Sequence, residues 1–208
     1  KRMSARKAAA EDTVVSTEAP AAPGNMRRLV TVIVLSSLTM ALTMSAISFI
    51  PLFLVDTFGT SRETAAASMS LVFAMAFWAG PLAGYLSDRF GRMAIIITTS
   101  VIASIVVFSL GAAPYGLSTI VVLVIIGTVT AFSTIVAQSY IIDRTPAKYR
   151  STVLGFYFFG NMEGTGVLTP LLGYSIDHLG FNTSFTISSA AILVTLIVCG
   201  SILWLNRE

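Results

Sequence analysis

The sequence has 208 residues, 55% of them hydrophobic and 11% charged, with a mean hydropathy of +0.83 and a formal net charge of +3. A soluble domain carries about 25% charged residues, so this chain lacks the groups that coat a water-facing surface. The lone Cys199 excludes an internal disulfide, and no binding motif or aromatic interleaving accompanies the basic residues, which excludes nucleic acid as a partner.

Residues 1–28 are rich in Ala, Ser, Thr, Pro and charge. Their apolar content is too low for independent folding, and they read as a flexible cytoplasmic linker. A bilayer core of roughly 30 Å needs about 20 apolar residues per helical crossing. Six stretches meet that length: 29–55, 64–86, 94–113, 117–142, 151–175 and 183–205. Residues 206–208 remain as a short tail. Backbone groups in lipid must be satisfied internally, which favours helices, and the runs lack the alternation of a membrane barrel. The expected fold class is therefore an all-α membrane protein with six transmembrane helices.

Basic residues give the orientation. Lys1, Arg2, Arg6, Lys7, Arg27 and Arg28 precede the first span. Arg89 and Arg92 follow the second, Arg144, Lys148 and Arg150 follow the fourth, and Arg207 follows the sixth. All of these share one side if the crossings number six, and only Arg62 lies opposite. The bias predicts that both termini are cytoplasmic.

An internal repeat organises the spans. Residues 81–91 read PLAGYLSDRFG and residues 170–180 read PLLGYSIDHLG, so Pro, Leu, Gly, Tyr, Asp and Gly recur at the same offsets. Three crossings separate the copies, which puts Asp88 on the cytoplasmic side and Asp177 outside. Two similar triplets of opposite orientation are the inverted-repeat design of many secondary transporters.

The stretch Gly84-Tyr85-Leu86-Ser87-Asp88-Arg89-Phe90-Gly91-Arg92 resembles the signature loop of the major facilitator superfamily, between the second and third helices of each half. That pattern usually continues with another basic residue, where this chain has Met93. Within it, Gly84 is expected to permit close helix packing and Gly91 a tight turn. Asp143-Arg144-Thr145-Pro146-Ala147-Lys148-Tyr149-Arg150 looks like the family's acidic loop between the fourth and fifth helices. The resemblance implies a conformational gate in which Asp143 pairs with Arg89 or Arg92, and Arg150 with another carboxylate. Ordinary positive-inside decoration accounts for the bases but not for the paired acids.

The resemblance implies a half-bundle built as two inverted three-helix repeats. An amino-terminal half of this family often carries an arginine four residues before a helix-4 glycine; here Gly127 is preceded at that distance by Leu123. With the charged, Ala- and Pro-rich leader, this favours the carboxy-terminal half. Its expected partners are a small-molecule solute, the lipid bilayer and an amino-terminal six-helix half or a second copy of the chain. The implied location is the plasma (inner) membrane. No cofactor is expected, and no Gly-x4-Gly-Lys-Ser/Thr loop points to ATP.

Glu163 is the one ionisable side chain placed well inside a predicted span. A charge near the bilayer centre costs about 2.5–3.5 kcal/mol on insertion scales, so it must face a cavity or a partner. It is a candidate proton or cation site; alternatively it braces the fifth span against a neighbour. Asn161, two positions away, points to a different face. Thr130, Thr134 and Gln138 share one face of the fourth span with Gly127, and Ser36, Thr39 and Thr43 form a similar stripe on the first. In this fold, by resemblance, those two spans line the central cavity; interhelical hydrogen bonding is the alternative for each hydroxyl. An intramembrane serine protease is excluded, because the nucleophile segment and a partner histidine within a helix are both missing. A non-transporting scaffold or sensor remains a reading that the polar residues argue against.

Overall fold

A computed structural model describes residues 23–205, with side chains from residue 26. The expected linker up to residue 22 and the tail 206–208 lie outside the described residues. The elements are α1 (Pro23–Ser48), α2 (Ile50–Phe58), α3 (Arg62–Phe90), α4 (Arg92–Ala112), α5 (Leu117–Arg144), a 3-10 turn (Ala147–Tyr149) and α6 (Arg150–Leu205). Helix α1 starts at Pro23, ahead of the span expected from residue 29. Proline at the first helical position loses no hydrogen bond, since that N–H has no intrahelical partner.

Five helical segments are long and apolar enough to cross a bilayer, where the sequence reading expected six spans. The first, Met26–Phe58, joins α1 and α2 across a turn at Phe49. The difference in count lies in α6, which carries 56 residues with one interruption. At Gly180 the backbone takes φ 79° and ψ 168°, far from helical values. A straight helix rises about 1.5 Å per residue and a bilayer core is roughly 30 Å thick, so an unbroken α6 would be nearly three times the length of a single crossing.

Where helices end, local chemistry explains why. Ser61 caps α3 by accepting from the Thr64 N–H at 3.2 Å. Gly91, at φ 89°, separates α3 from α4. Pro51 falls in the first turn of α2, while Pro81 and Pro170 lie inside α3 and α6 rather than at their ends.

Two helix pairs run parallel and interlock by small residues. Gly160 and Gly164 of α6 lie against Ser37 and Ala41 of α1; a Cβ on each would stand 3.5 Å from the Ser37 hydroxyl and 3.0 Å from the Ala41 methyl. Further along, the Thr169 hydroxyl donates to Ser45 at 3.1 Å. Gly127 of α5 lies so close to α3 that a Cβ would overlap the Val72 carbonyl oxygen, and further along Gly80 faces Ile135. A third contact is antiparallel: the Ser104 hydroxyl of α4 donates to the Ser189 carbonyl of α6 at 3.0 Å, and Gly111 abuts Asn182. Without a hydrophobic drive between helices in lipid, such close backbone approach and interhelical hydrogen bonding are what hold a bundle together.

The buried apolar residues fall into two clusters at opposite ends. One contains Leu42, Ile50, Phe53, Leu123, Ile126, Phe185 and Ile192. There Phe53 meets Phe58, Phe181 and Phe185 edge-on at 5.3–5.6 Å, stitching α2 to α6 just beyond Gly180. The other contains Leu35, Ile96, Val136, Tyr140, Tyr157 and Leu203. Between the two lie buried hydroxyls and one amide on four helices: Ser36, Ser37 and Thr39; Thr99, Ser100 and Ser104; Thr130; and Asn161. By contrast α3 buries little of its surface and exposes Phe73, Phe77, Trp78, Leu82 and Tyr85.

Candidate functional site

The charged cluster forms where the α3–α4 turn meets the end of α5. Gly91 reverses the chain with a positive φ that disfavours any side chain, and this sets Arg92 at the start of α4. The Arg92 guanidinium then reaches three acceptors. Its Nη1 contacts the Asp143 carboxylate and donates to the Ser139 carbonyl, and its Nη2 lies 3.8 Å from Asp88 Oδ1. One arginine thus ties the start of α4 to the end of α5. Its own side chain is 25% exposed, whereas Asp88 is 74% exposed. Asp88 keeps acceptor capacity for another group.

Of the two partners expected for Asp143, the structure selects Arg92. Arg89 instead donates to the Tyr85 hydroxyl at 3.2 Å, one helical turn back, and its guanidinium lies 5.8 Å from the Phe90 ring centre. Arg150, expected to pair with a carboxylate, meets none among the described residues; its Nε donates to the Thr145 carbonyl at 3.1 Å. The intervening 3-10 turn, Ala147–Tyr149, separates Arg150 from the Thr145 carbonyl it bonds in the same loop. Gly84 also departs from expectation: nothing lies within 4 Å of a Cβ built there, so it makes no close helix contact in this structure. The close approach belongs to Gly127. Sequence reasoning missed Ser139 as an acceptor because a backbone carbonyl carries no side-chain signal. The Tyr85–Arg89 pair was legible as an i,i+4 spacing.

The polar stripes divide by burial. Thr39 is 3% exposed and Thr43 2%, so both point into the half-bundle rather than toward an open cavity. The Thr43 hydroxyl donates to the Thr39 carbonyl at 2.8 Å, and Thr130 donates to the Ile126 carbonyl at 2.6 Å, each closing locally on its own helix. Thr134 is half-buried; it donates to the Thr130 carbonyl at 2.9 Å and lies 3.8 Å from Met40 Sδ on α1. Gln138 is half-buried, and its amide makes no hydrogen bond among the described residues. Asn161 is buried; its Nδ2 donates to the Tyr157 carbonyl at 3.0 Å while its Oδ1 is without a partner. The Ser36, Ser37 and Thr39 hydroxyls also find no partner among the described residues. Glu163 is exposed on the outer face of α6, with no ion pair or hydrogen bond among the described residues. The structure therefore does not gather Glu163, Asn161 and the α1 and α5 threonines into one pocket. Glu163 faces away from this bundle, while Asn161, Thr39, Thr43 and Thr130 face inward.

No group of three or more His, Cys, Asp or Glu side chains among the described residues could hold a metal ion. The chemistry available is electrostatic latching, hydrogen bonding and solvation of one carboxylate.

Comparison with known proteins agrees with this architecture. Residues 31–208 match the family model described as Major Facilitator Superfamily. Among solved structures, the chain superposes on a bacterial homologue of the human lysosomal transporter Spinster, in an inward-facing and unoccupied conformation, with a TM-score of 0.69 and 22% identity. That match covers 91% of this chain and 44% of the homologue. It also superposes on the inward-open xylose transporter XylE from E. coli, with a TM-score of 0.57 and 17% identity over 85% of this chain and 47% of XylE. The chain thus spans less than half the length of either transporter. With the family model matched over nearly all of its apolar part, this chain belongs to the major facilitator superfamily.

Proposed function

We propose that the chain is the carboxy-terminal half of a secondary active transporter that moves a small solute by alternating access, with both termini cytoplasmic in the plasma membrane. In this reading α6 makes two crossings divided at Gly180, giving six in all. The geometry supports an inverted pair of triplets. Gly91 and Gly180 stand at the same offset in the two sequence copies, and both carry a positive φ, 89° and 79°. The two parallel contacts, α1 with the first part of α6 and α3 with α5, are then counterparts of each other. The three-crossing units are α1–α2, α3 and α4, followed by α5 and the two parts of α6.

Glu163 carries the functional reading. It lies within an apolar span, exposed on the half-bundle and unpaired among the described residues. A carboxylate at that depth needs water or a partner. A second half, or the aqueous cavity between two halves, supplies what this half does not. Glu163 then loads a proton or cation on one side and releases it on the other. Gln138 and Thr134, half-buried on α5, are the neutral groups offered to solute. Asp88, Arg89, Arg92, Asp143 and Arg150 form the cytoplasmic gate, with Gly84 and Gly91 in the turn that presents them. Asp88, the most exposed of the acids in that cluster, is the group free to engage the other half.

The test is solute flux by the full-length parent in proteoliposomes under an imposed proton gradient. Glu163→Gln is expected to abolish uphill accumulation while preserving downhill exchange. A Glu163→Gln protein that accumulates solute at the normal proton-dependent rate removes Glu163 from coupling. A parent that moves no candidate solute in either direction, though folded, favours a scaffold.

A further inference from the structure

We propose that the corner between α5 and α6 binds the phosphate headgroup of an anionic phospholipid. Arg144, Lys148 and Arg150 fall within seven residues there, and all three are exposed. The acids nearby do not neutralise them. Asp143 is taken by Arg92, which also draws Asp88, and these are the two ion pairs among the described residues. The three cations are instead held by partners that leave their charge intact. The Arg144 guanidinium lies 5.7 Å from the Tyr140 ring centre, and the Lys148 ammonium lies 5.5 Å from the Tyr149 ring centre. Arg150 spends its Nε on the Thr145 carbonyl, so the terminal nitrogens of its guanidinium keep their donors for a ligand. Helix α6 begins at this point with no acid in its first turn, and the partial positive charge of a helix start adds to the same field.

Position selects lipid over a soluble anion. The corner terminates two apolar spans, and Tyr149 and Ile142 expose 53% and 38% of their surface beside the cations. An aromatic ring and a branched apolar chain at that depth suit the boundary between headgroup and acyl chain. Among the described residues the opposite end of the bundle has no equivalent, since Asp56, Glu63 and Asp177 outnumber Arg62 there.

The experiment is native mass spectrometry of the delipidated full-length parent, titrated with phosphatidylglycerol and, separately, phosphatidylcholine. Each basic residue at an anionic lipid surface changes binding by about fivefold. The wild type is expected to prefer phosphatidylglycerol, and Arg144→Gln/Lys148→Gln to lose about 25-fold of that preference with phosphatidylcholine binding unchanged. Arg62→Gln is expected to retain it in full. If the double variant does not fold, Lys148→Gln alone is expected to lose about fivefold. A wild type without preference, or a double variant that keeps it, overturns the proposal. So does displacement of phosphatidylglycerol by millimolar inorganic phosphate, which would make the corner a site for soluble anions. The readout is lipid retention, so it is independent of whether the parent transports anything.

Discussion

Gly127→Ala tests whether backbone contact between α3 and α5 holds this bundle. A Cβ at Gly127 would overlap the Val72 carbonyl oxygen and stand 3.0 Å from its carbonyl carbon and 3.1 Å from its Cα. These are backbone atoms and cannot rotate aside, so the two helices must separate by several tenths of an ångström. Forcing extra volume into a packed contact costs about 1–3 kcal/mol. Alanine also gains helix propensity over glycine by roughly 0.8–1.0 kcal/mol, which partly masks that cost. The remedy is a second glycine with the same helical gain and no neighbour. Gly200 is such a position, because nothing lies within 4 Å of its Cβ. Gly127→Ala should therefore unfold more readily than Gly200→Ala by about 1–3 kcal/mol, the propensity gain cancelling between them. Reversible unfolding of the full-length parent in mixed detergent micelles, followed by helical circular dichroism, measures the difference. A Gly127→Ala protein as stable as Gly200→Ala refutes the close contact.

Gly180→Ala should destabilise by about 1–3 kcal/mol, because its φ and ψ occupy a region essentially reserved for glycine; stabilisation in the same unfolding assay would mean that α6 continues straight. Ser104→Ala removes the donor to the Ser189 carbonyl and should cost about 0.6 kcal/mol, with Ser189→Ala costing less because the carbonyl acceptor survives. Arg92→Gln and Asp143→Asn should each shift stability by under about 1 kcal/mol, as partly exposed pairs do, yet slow solute flux by the parent. The double variant should be no slower than the worse single one, and multiplicative slowing would show that the two side chains act separately.

Much of the architecture was legible because membrane depth writes itself into composition. The apolar runs and the punctuating Arg and Asp clusters marked the helices, and the Pro81 and Pro170 copies marked the repeat. The Arg92–Asp143 contact was readable as one of two pairings. What sequence could not supply was direction around a helix axis. Thr39 and Thr43 share a stripe with Ser36, and only packing shows that this stripe faces inward. Gly84 and Gly80 have the same spacing as Gly160 and Gly164, yet only at Gly164 would a Cβ crowd a neighbouring helix; at Gly160 and Gly80 it would make ordinary contact, and at Gly84 none. Spacing fixes which residues lie together on a face; it does not say which neighbour that face meets. Glu163 was found by its cost in lipid, and its outward exposure needed coordinates.

The parallel pairing of α1 with the first part of α6 has a consequence for biosynthesis. Ser45 and its partner Thr169 are 124 residues apart. At about 5–20 residues per second, α1 emerges from the ribosome roughly 6–25 seconds before the surface it packs on exists. During that interval the face of α1 that later receives Gly160 and Gly164 must be covered by something else, whether the insertion machinery or lipid.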